Sequence, residues 1–333
     1  EGVFAMLRKI LMMFVALGVV ACGSEVQAPG EEIRSDKFRN TEPMVAEGGV
    51  ESVVADNTDF GWDIYRATLA ADPVNIVFSP YSISSAFGML YAGAAGQTQE
   101  DMAAGFRFGG REVSDFHAAM NAIELAMPES DDWGTLRVAN DIWVQNGFEA
   151  KDTFLDTLAE NYGAGMQGLD FAGDASGSIE LINEYISDVT DTKIPKLFGE
   201  GSLNASTVLA LTNAIYFKAS WKDEFEPEAT KPMDFNLIDG TKIQTDMMNS
   251  SQDYYYGEEA GSYRAVEIPY KNEDLAMLVV MPDAGTLADF EAGMDADGLA
   301  ALAGAMTSQE VNLDLPSFEL NTELVTLKDD LKR

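Results

Sequence analysis

The sequence predicts an α+β fold, on three observations. Apolar residues recur at helical spacing through the earlier part of the folded region, strand-like apolar or alternating runs dominate the later part, and neither an internal repeat nor a glycine-rich phosphate loop is present. Helices and strands segregated in this way favour α+β over a doubly wound sheet.

The helical pattern begins at Asn57, with Asn57 or Thr58 available as a cap and Phe60, Ile64 and Ala67 on one face. Asn75-Ile76-Val77-Phe78 is a short apolar run ended by Ser79-Pro80, which predicts a buried strand stopped by proline. Ser82 is placed to cap the next helix, where Ile83, Phe87 and Leu90 recur and small residues fill the remaining positions, a composition for close packing. Further helices are predicted over residues 98–106, 116–127, 153–162 and 178–189, the last with Ile179, Ile182, Ile186 and Val189 in step. Residues 208–217 are almost continuously apolar and predict a strand covered on both faces, with Asn213 inside it as an amide that needs partners. Strands are also predicted over residues 136–144, 266–268 and 275–281, the last closed by Pro282. Residues 311–315 alternate with period two, so that strand has one wet face.

A chain of 333 residues can bury a sizeable core in one or two domains. Its 56 acidic and 21 basic residues give a net charge of −35, a field that repels nucleic acid and anionic membranes, so neither is an expected partner. The excess reads as a solubilising surface suited to a salty medium. One histidine and one cysteine exclude an internal disulfide and leave too few ligands for a His/Cys zinc site. A Ser-His-Asp triad would have to use His117, and no Gly-x-Ser-x-Gly elbow occurs. His117 therefore reads as a solvated helix residue, and no catalytic residue, metal or cofactor is expected.

The N-terminus reads as a targeting segment. Met6-Leu7-Arg8-Lys9 supplies a basic head, residues 10–20 an apolar core too short for a stable span, and Ala21-Cys22-Gly23-Ser24 a small-residue exit. Val19-Val20-Ala21-Cys22 is similar to the bacterial lipobox, so residues 1–22 form an export signal and Cys22 is the expected lipid-attachment residue. The expected location is the bacterial cell envelope or its exterior, with membrane contact only through that lipid. Residues 23–56, rich in Glu, Gly, Pro and small polar residues, predict a flexible acidic tether. Residues 1–5 precede the plausible start and read as translated leader.

Periodicity stops at α+β, and an ordered series of motifs goes further. Asn75-Ile76-Val77-Phe78-Ser79-Pro80-Tyr81-Ser82-Ile83-Ser84 closely resembles the signature of the serpin family. The similarity continues through Gly93-Ala94-Ala95-Gly96, Ala139-Asn140-Asp141-Ile142-Trp143, Leu169-Asp170-Phe171 and Thr190-Asp191-Thr192-Lys193-Ile194-Pro195. It extends over Leu211-Thr212-Asn213-Ala214-Ile215-Tyr216-Phe217-Lys218-Ala219-Ser220-Trp221, Glu267-Ile268-Pro269-Tyr270, Val279-Val280-Met281-Pro282 and Leu315-Pro316-Ser317-Phe318. The resemblance implies a serpin domain over residues 57–333, with a large central mixed sheet, smaller sheets and about eight to nine helices.

For function, the resemblance implies a protease inhibitor rather than an enzyme. Its partner would be a serine or cysteine protease, trapped as a suicide-substrate complex when the cleaved reactive loop enters the sheet as an extra strand. Ser79, Ser82 and Asn213 match the polar cluster at the sheet centre called the shutter, and Trp221 matches the tryptophan at the breach, where insertion begins. The histidine that completes the family's shutter later in the chain is absent here. Tyr185 stands where many members carry tryptophan, and Thr192 where glycine or asparagine is common. Residues 324–333 match the helix before the last strands and the loop, so the fold is incomplete at its C-terminus and the reactive site is expected outside these residues. Glycosaminoglycan-dependent relatives are basic around the fourth helix; residues 112–132 hold Glu112, Asp115, Glu124, Glu129, Asp131 and Asp132 with no lysine, so no heparin-like polyanion is expected. The alternative within the fold is a non-inhibitory serpin used for binding or as a chaperone. An envelope hydrolase using two carboxylates lacks a spaced acid pair, and a solute-binding lipoprotein would lack the Ser-Pro-x-Ser-Ile run.

Overall fold

The computed structural model describes residues 27–71 and 75–320. The export signal, Cys22 and the helix expected over residues 324–333 lie outside the described residues. In chain order the described elements are β1 (Glu31–Ile33), α1 (Gly49–Ala71), α2 (Pro80–Tyr91), α3 (Gln97–Gly105), α4 (Val113–Leu125), β2 (Gly134–Gln145), α5 (Asp152–Tyr162), β3 (Met166–Leu169) and α6 (Phe171–Val189). They continue with β4 (Leu209–Ala219), β5 (Lys231–Asn236), β6 (Lys242–Glu259), β7 (Tyr263–Pro269), β8 (Ala276–Pro282), α7 (Leu287–Gly293), α8 (Ala296–Ala305) and β9 (Thr307–Pro316).

Residues 27–56 correct the predicted tether. β1 pairs antiparallel with β3, setting Ile33 opposite Met166. Arg39 then donates to Asn121 Oδ1 at 2.9 Å and pairs with Glu124 at 3.0 Å, while Asn121 Nδ2 donates to the Asn40 carbonyl at 2.7 Å. These hydrogen bonds act together with Ile33, Val45 and Val53 packed on the core, scattered contacts that leave no sustained apolar period, which is why the composition reads as linker. α1 begins at Gly49 rather than Asn57 and buries Val53, Phe60, Ile64 and Thr68 along one stripe.

Two sheets follow from the pairing, the first mixed and the second antiparallel throughout. The first sheet runs β1-β3-β2-β4, with β2 and β3 parallel and the other pairs antiparallel. Alternation along β2 sends Ile142 and Val144 to one face and Trp143 to the other. The Ile142 face is covered by α1, α2, α4 and α5 through Phe60, Met89, Phe116 and Leu158; the Trp143 face is covered by α6 through Ile179, Ile182 and Ile186. The second sheet runs β5-β6-β7-β8, with β9 also paired to β6. The alternation predicted for residues 311–315 holds: Val311, Leu313 and Leu315 join the apolar cluster around Tyr254 and Ile268, leaving Asn312 and Asp314 exposed.

Three local expectations are corrected. Residues 75–79 form no strand, and Val77 is 56% exposed. The cap of α2 is Ser79, whose hydroxyl accepts from the Ser82 amide at 3.1 Å with Pro80 at the first helical position. His117 is buried, with Nδ1 2.8 Å from the Tyr162 hydroxyl and its ring among Tyr91, Phe116 and Tyr162. The face of α4 that carries His117 turns inward, and burial pushes the imidazole down to about 4. The small residues of α2 do allow close packing: a Cβ on Gly88 would lie 2.9 Å from the Tyr162 hydroxyl. Ile83, Phe87 and Leu90 are partly buried against the same cluster.

Candidate functional site

β4 sits over α2 and beneath α6, and its pairing is one-sided. Along its whole length, from Leu209 opposite Val144 to Ala219 opposite Gly134, it bonds to β2. Among the described residues no strand pairs with its other edge. The strand predicted to be covered on both faces is consequently part-exposed: Leu209 and Ile215 are 37% and Phe217 is 41% exposed. An open edge in a layer already flanked by helices presents unpaired N–H and C=O groups to an incoming strand.

At the middle of that pairing, Asn140 and Asn213 face each other in register. Asn213 Nδ2 donates to Asn140 Oδ1 at 2.5 Å, and Asn140 Nδ2 donates to Ser85 Oγ at 2.9 Å. The amide that the sequence left without partners is satisfied by a side chain directly across the ladder and, through it, by α2. The predicted trio of Ser79, Ser82 and Asn213 is not assembled as one network. Ser79 is spent on the helix cap, and Ser82 is buried with no hydrogen bond to Asn140 or Asn213. Asn140 and Ser85 are the members that sequence reasoning missed. Asn140 lies inside a quoted motif and Ser85 directly follows another, and the available signal was a second amide interrupting an apolar strand.

The opposite face of the same two strands carries a second polar group. Asp141 pairs in register with Thr212, whose hydroxyl accepts from Trp143 Nε1 at 2.8 Å. The Tyr185 hydroxyl of α6 donates to Asp141 at 3.4 Å, a long contact. Burial lifts the Asp141 carboxyl to about 6, with the Tyr185 hydrogen bond pulling weakly the other way, and the same enclosure raises Tyr185 above the ordinary tyrosine range. Tyr185 thus packs edge-on to Trp143 with ring centres 5.6 Å apart and gives Asp141 its polar contact.

Trp221 lies just past the end of β4, where the chain crosses to the second sheet. It bridges Tyr270 and stacks on it at 4.7 Å with the planes 8° apart. Tyr270 packs edge-on to Phe217 at 5.0 Å, and Phe217 meets Trp133 at 6.3 Å. Flanking backbone bonds, Lys271 N to Ser220 O and Lys222 N to Pro269 O, clamp the crossing. Trp221 therefore joins the open-edged strand to the neighbouring sheet through stacked rings, well apart from the Asn140–Asn213 pair in the register.

Comparison with known proteins places this geometry. The model of the family described as Serpin (serine protease inhibitor) matches residues 55–333. Human neuroserpin is 30% identical over 290 residues, covering 85% of this chain and 70% of that protein. Human leukocyte elastase inhibitor is 31% identical over 300 residues, covering 85% and 76%. Among solved structures, cleaved Serpin 42Da superposes with a TM-score of 0.78 at 27% identity, covering 86% of this chain and 76% of that one. A loop-inserted, cleaved ovalbumin mutant reaches the same TM-score at 22% identity, covering 84% and 77%, which shows the shared fold. With a family model spanning most of its length and relatives of this identity, the chain belongs to the serpin family, a family of protease inhibitors and not of enzymes.

Proposed function

We propose that this protein traps a serine protease as a suicide substrate by adding a cleaved reactive loop to the open edge of β4. The observation that carries the reading is that edge: an eleven-residue strand, held on one side by β2 alone, between two helical layers. A strand entering beside it gains a hydrogen-bond ladder and covers Leu209, Ile215 and Phe217. The protease would be caught at the acyl-enzyme stage, because insertion drags the tethered enzyme away before water cleaves the ester. In this reading Asn140, Asn213 and Ser85 hold the sheet centre closed to α2, and Trp221 marks the end at which entry starts.

The test is incubation of the protein, expressed from its full reading frame, with a panel of serine and cysteine proteases. An SDS-resistant complex with one of them is expected. Cleavage by several proteases with no complex would reject inhibition in favour of the non-inhibitory alternative, a binding or chaperone role.

Export and lipid attachment at Cys22 belong to the same proposal, supported by the run from Met6 to Ser24. Metabolic labelling with a radioactive fatty acid should mark the wild type and not Cys22→Ala; equal labelling of both would reject the anchor.

A further inference from the structure

Beneath α1 and α2 lies a small cavity with about 10 Å³ of room for the centre of a water molecule. Phe106, Phe116 and Met120 form part of its wall, and Asn57, Ser84 and Arg111 enter it from α1, from α2 and from the turn before α4. Each of the three brings a buried polar atom with no hydrogen-bond partner among the described residues: Asn57 Oδ1, Ser84 Oγ and Arg111 Nη1. Ser84 itself is only 2% exposed.

We propose that this cavity is a binding site for one structural water shared by those three atoms. The volume admits a single water, so the three atoms must share it. Their chemistry also suits water and not an ion. Arg111 Nη1 is a donor, Asn57 Oδ1 is an acceptor, and the Ser84 hydroxyl serves as either. The Arg111 charge is already met on its other nitrogen, Nη2, by Asp56 and Ser52, and Asn57 Oδ1 would repel an anion. The site has a structural consequence for the sheet. Ser84 and Ser85 are neighbours on α2, one reaching the water and the next accepting from Asn140 at 2.9 Å. The water thus fixes the helix position from which Ser85 grips the sheet centre.

A crystal structure resolving ordered water tests this on the wild-type protein. A single peak within hydrogen-bond distance of Arg111 Nη1, Asn57 Oδ1 and Ser84 Oγ is expected. An empty cavity, or an anomalous peak there after a bromide soak, would overturn the assignment. A double-mutant cycle gives an independent reading, since Asn57 and Ser84 are not bonded to each other. In Ser84→Ala/Asn57→Ala the urea midpoint should shift by less than the sum of the two single shifts; strict additivity would count against a shared water. Should a variant fail to fold, the wild-type density decides.

Discussion

At the scale of residues, the two sides of the first sheet hold groups with opposite titration behaviour. His117 of α4, on the Ile142 side, is near 4 in the folded protein against 6.5 unfolded, so its neutral burial contributes fully above pH 6.5 and is lost as pH falls through 4. Asp141, beneath α6, is near 6 folded against 3.8 unfolded, so its burial costs stability above pH 6 and that cost fades as pH falls through 3.8. Each span corresponds to about 3 kcal/mol, and over the shared range the two slopes oppose. Asp141→Asn should therefore be more stable than wild type at pH 7, match it near pH 4, and decline more steeply between, as urea midpoints across that range will show. Asn140→Ala should cost about 1–3 kcal/mol, because Asn213 loses its acceptor and Ser85 its donor; a midpoint within error of wild type would mean that water replaces the amide. Ser79 and Asn213 were legible as polar residues with work to do, but their partners were not, because register and helix docking decide which side chain reaches which.

At the scale of elements, most helices and strands were legible from period and capping, and the misses share a cause. β1 is three residues with one apolar side chain, held by pairing to β3 and by the Arg39 contacts, neither of which leaves a periodic trace. The run 75–78 has strand composition but pairs with no strand among the described residues. Within α6 the sequence placed the start at Ser178. The structure begins the helix at Phe171 and interrupts it at Asp174, whose φ of −145° and ψ of 70° break the turn while its carboxylate accepts from the Gly177 amide and recaps the remainder. At the far end of α6, Asp191 and Thr192 both have positive φ, 51° and 61°. That geometry explains why glycine or asparagine suits position 192, and a β-branched threonine there is strained. Thr192→Gly should stabilise the protein by about 1 kcal/mol. A loss of stability by thermal or urea unfolding would show that the threonine side chain contributes more than its backbone costs.

At the scale of the whole molecule, family membership was legible because short motifs survive in order along the chain, whereas the open side of β4 was not: continuous apolar sequence reads the same in a central strand and in one awaiting a neighbour. The net charge of −35 has its own consequence. Self-repulsion destabilises the compact state and is screened by salt, so raising sodium chloride from about 0.05 to about 0.5 M should raise the urea midpoint; a fall would mean that attractive ion pairs such as Arg39–Glu124 dominate the surface. Strand addition at β4 is best tested by hydrogen exchange on the full-length protein before and after reaction with a protease that cleaves it. The alternate β4 amides that point away from β2 are expected to exchange freely at first and to become strongly protected once the cleaved loop has paired with them. Unchanged exchange along residues 209–219 after complete cleavage would contradict insertion at this edge.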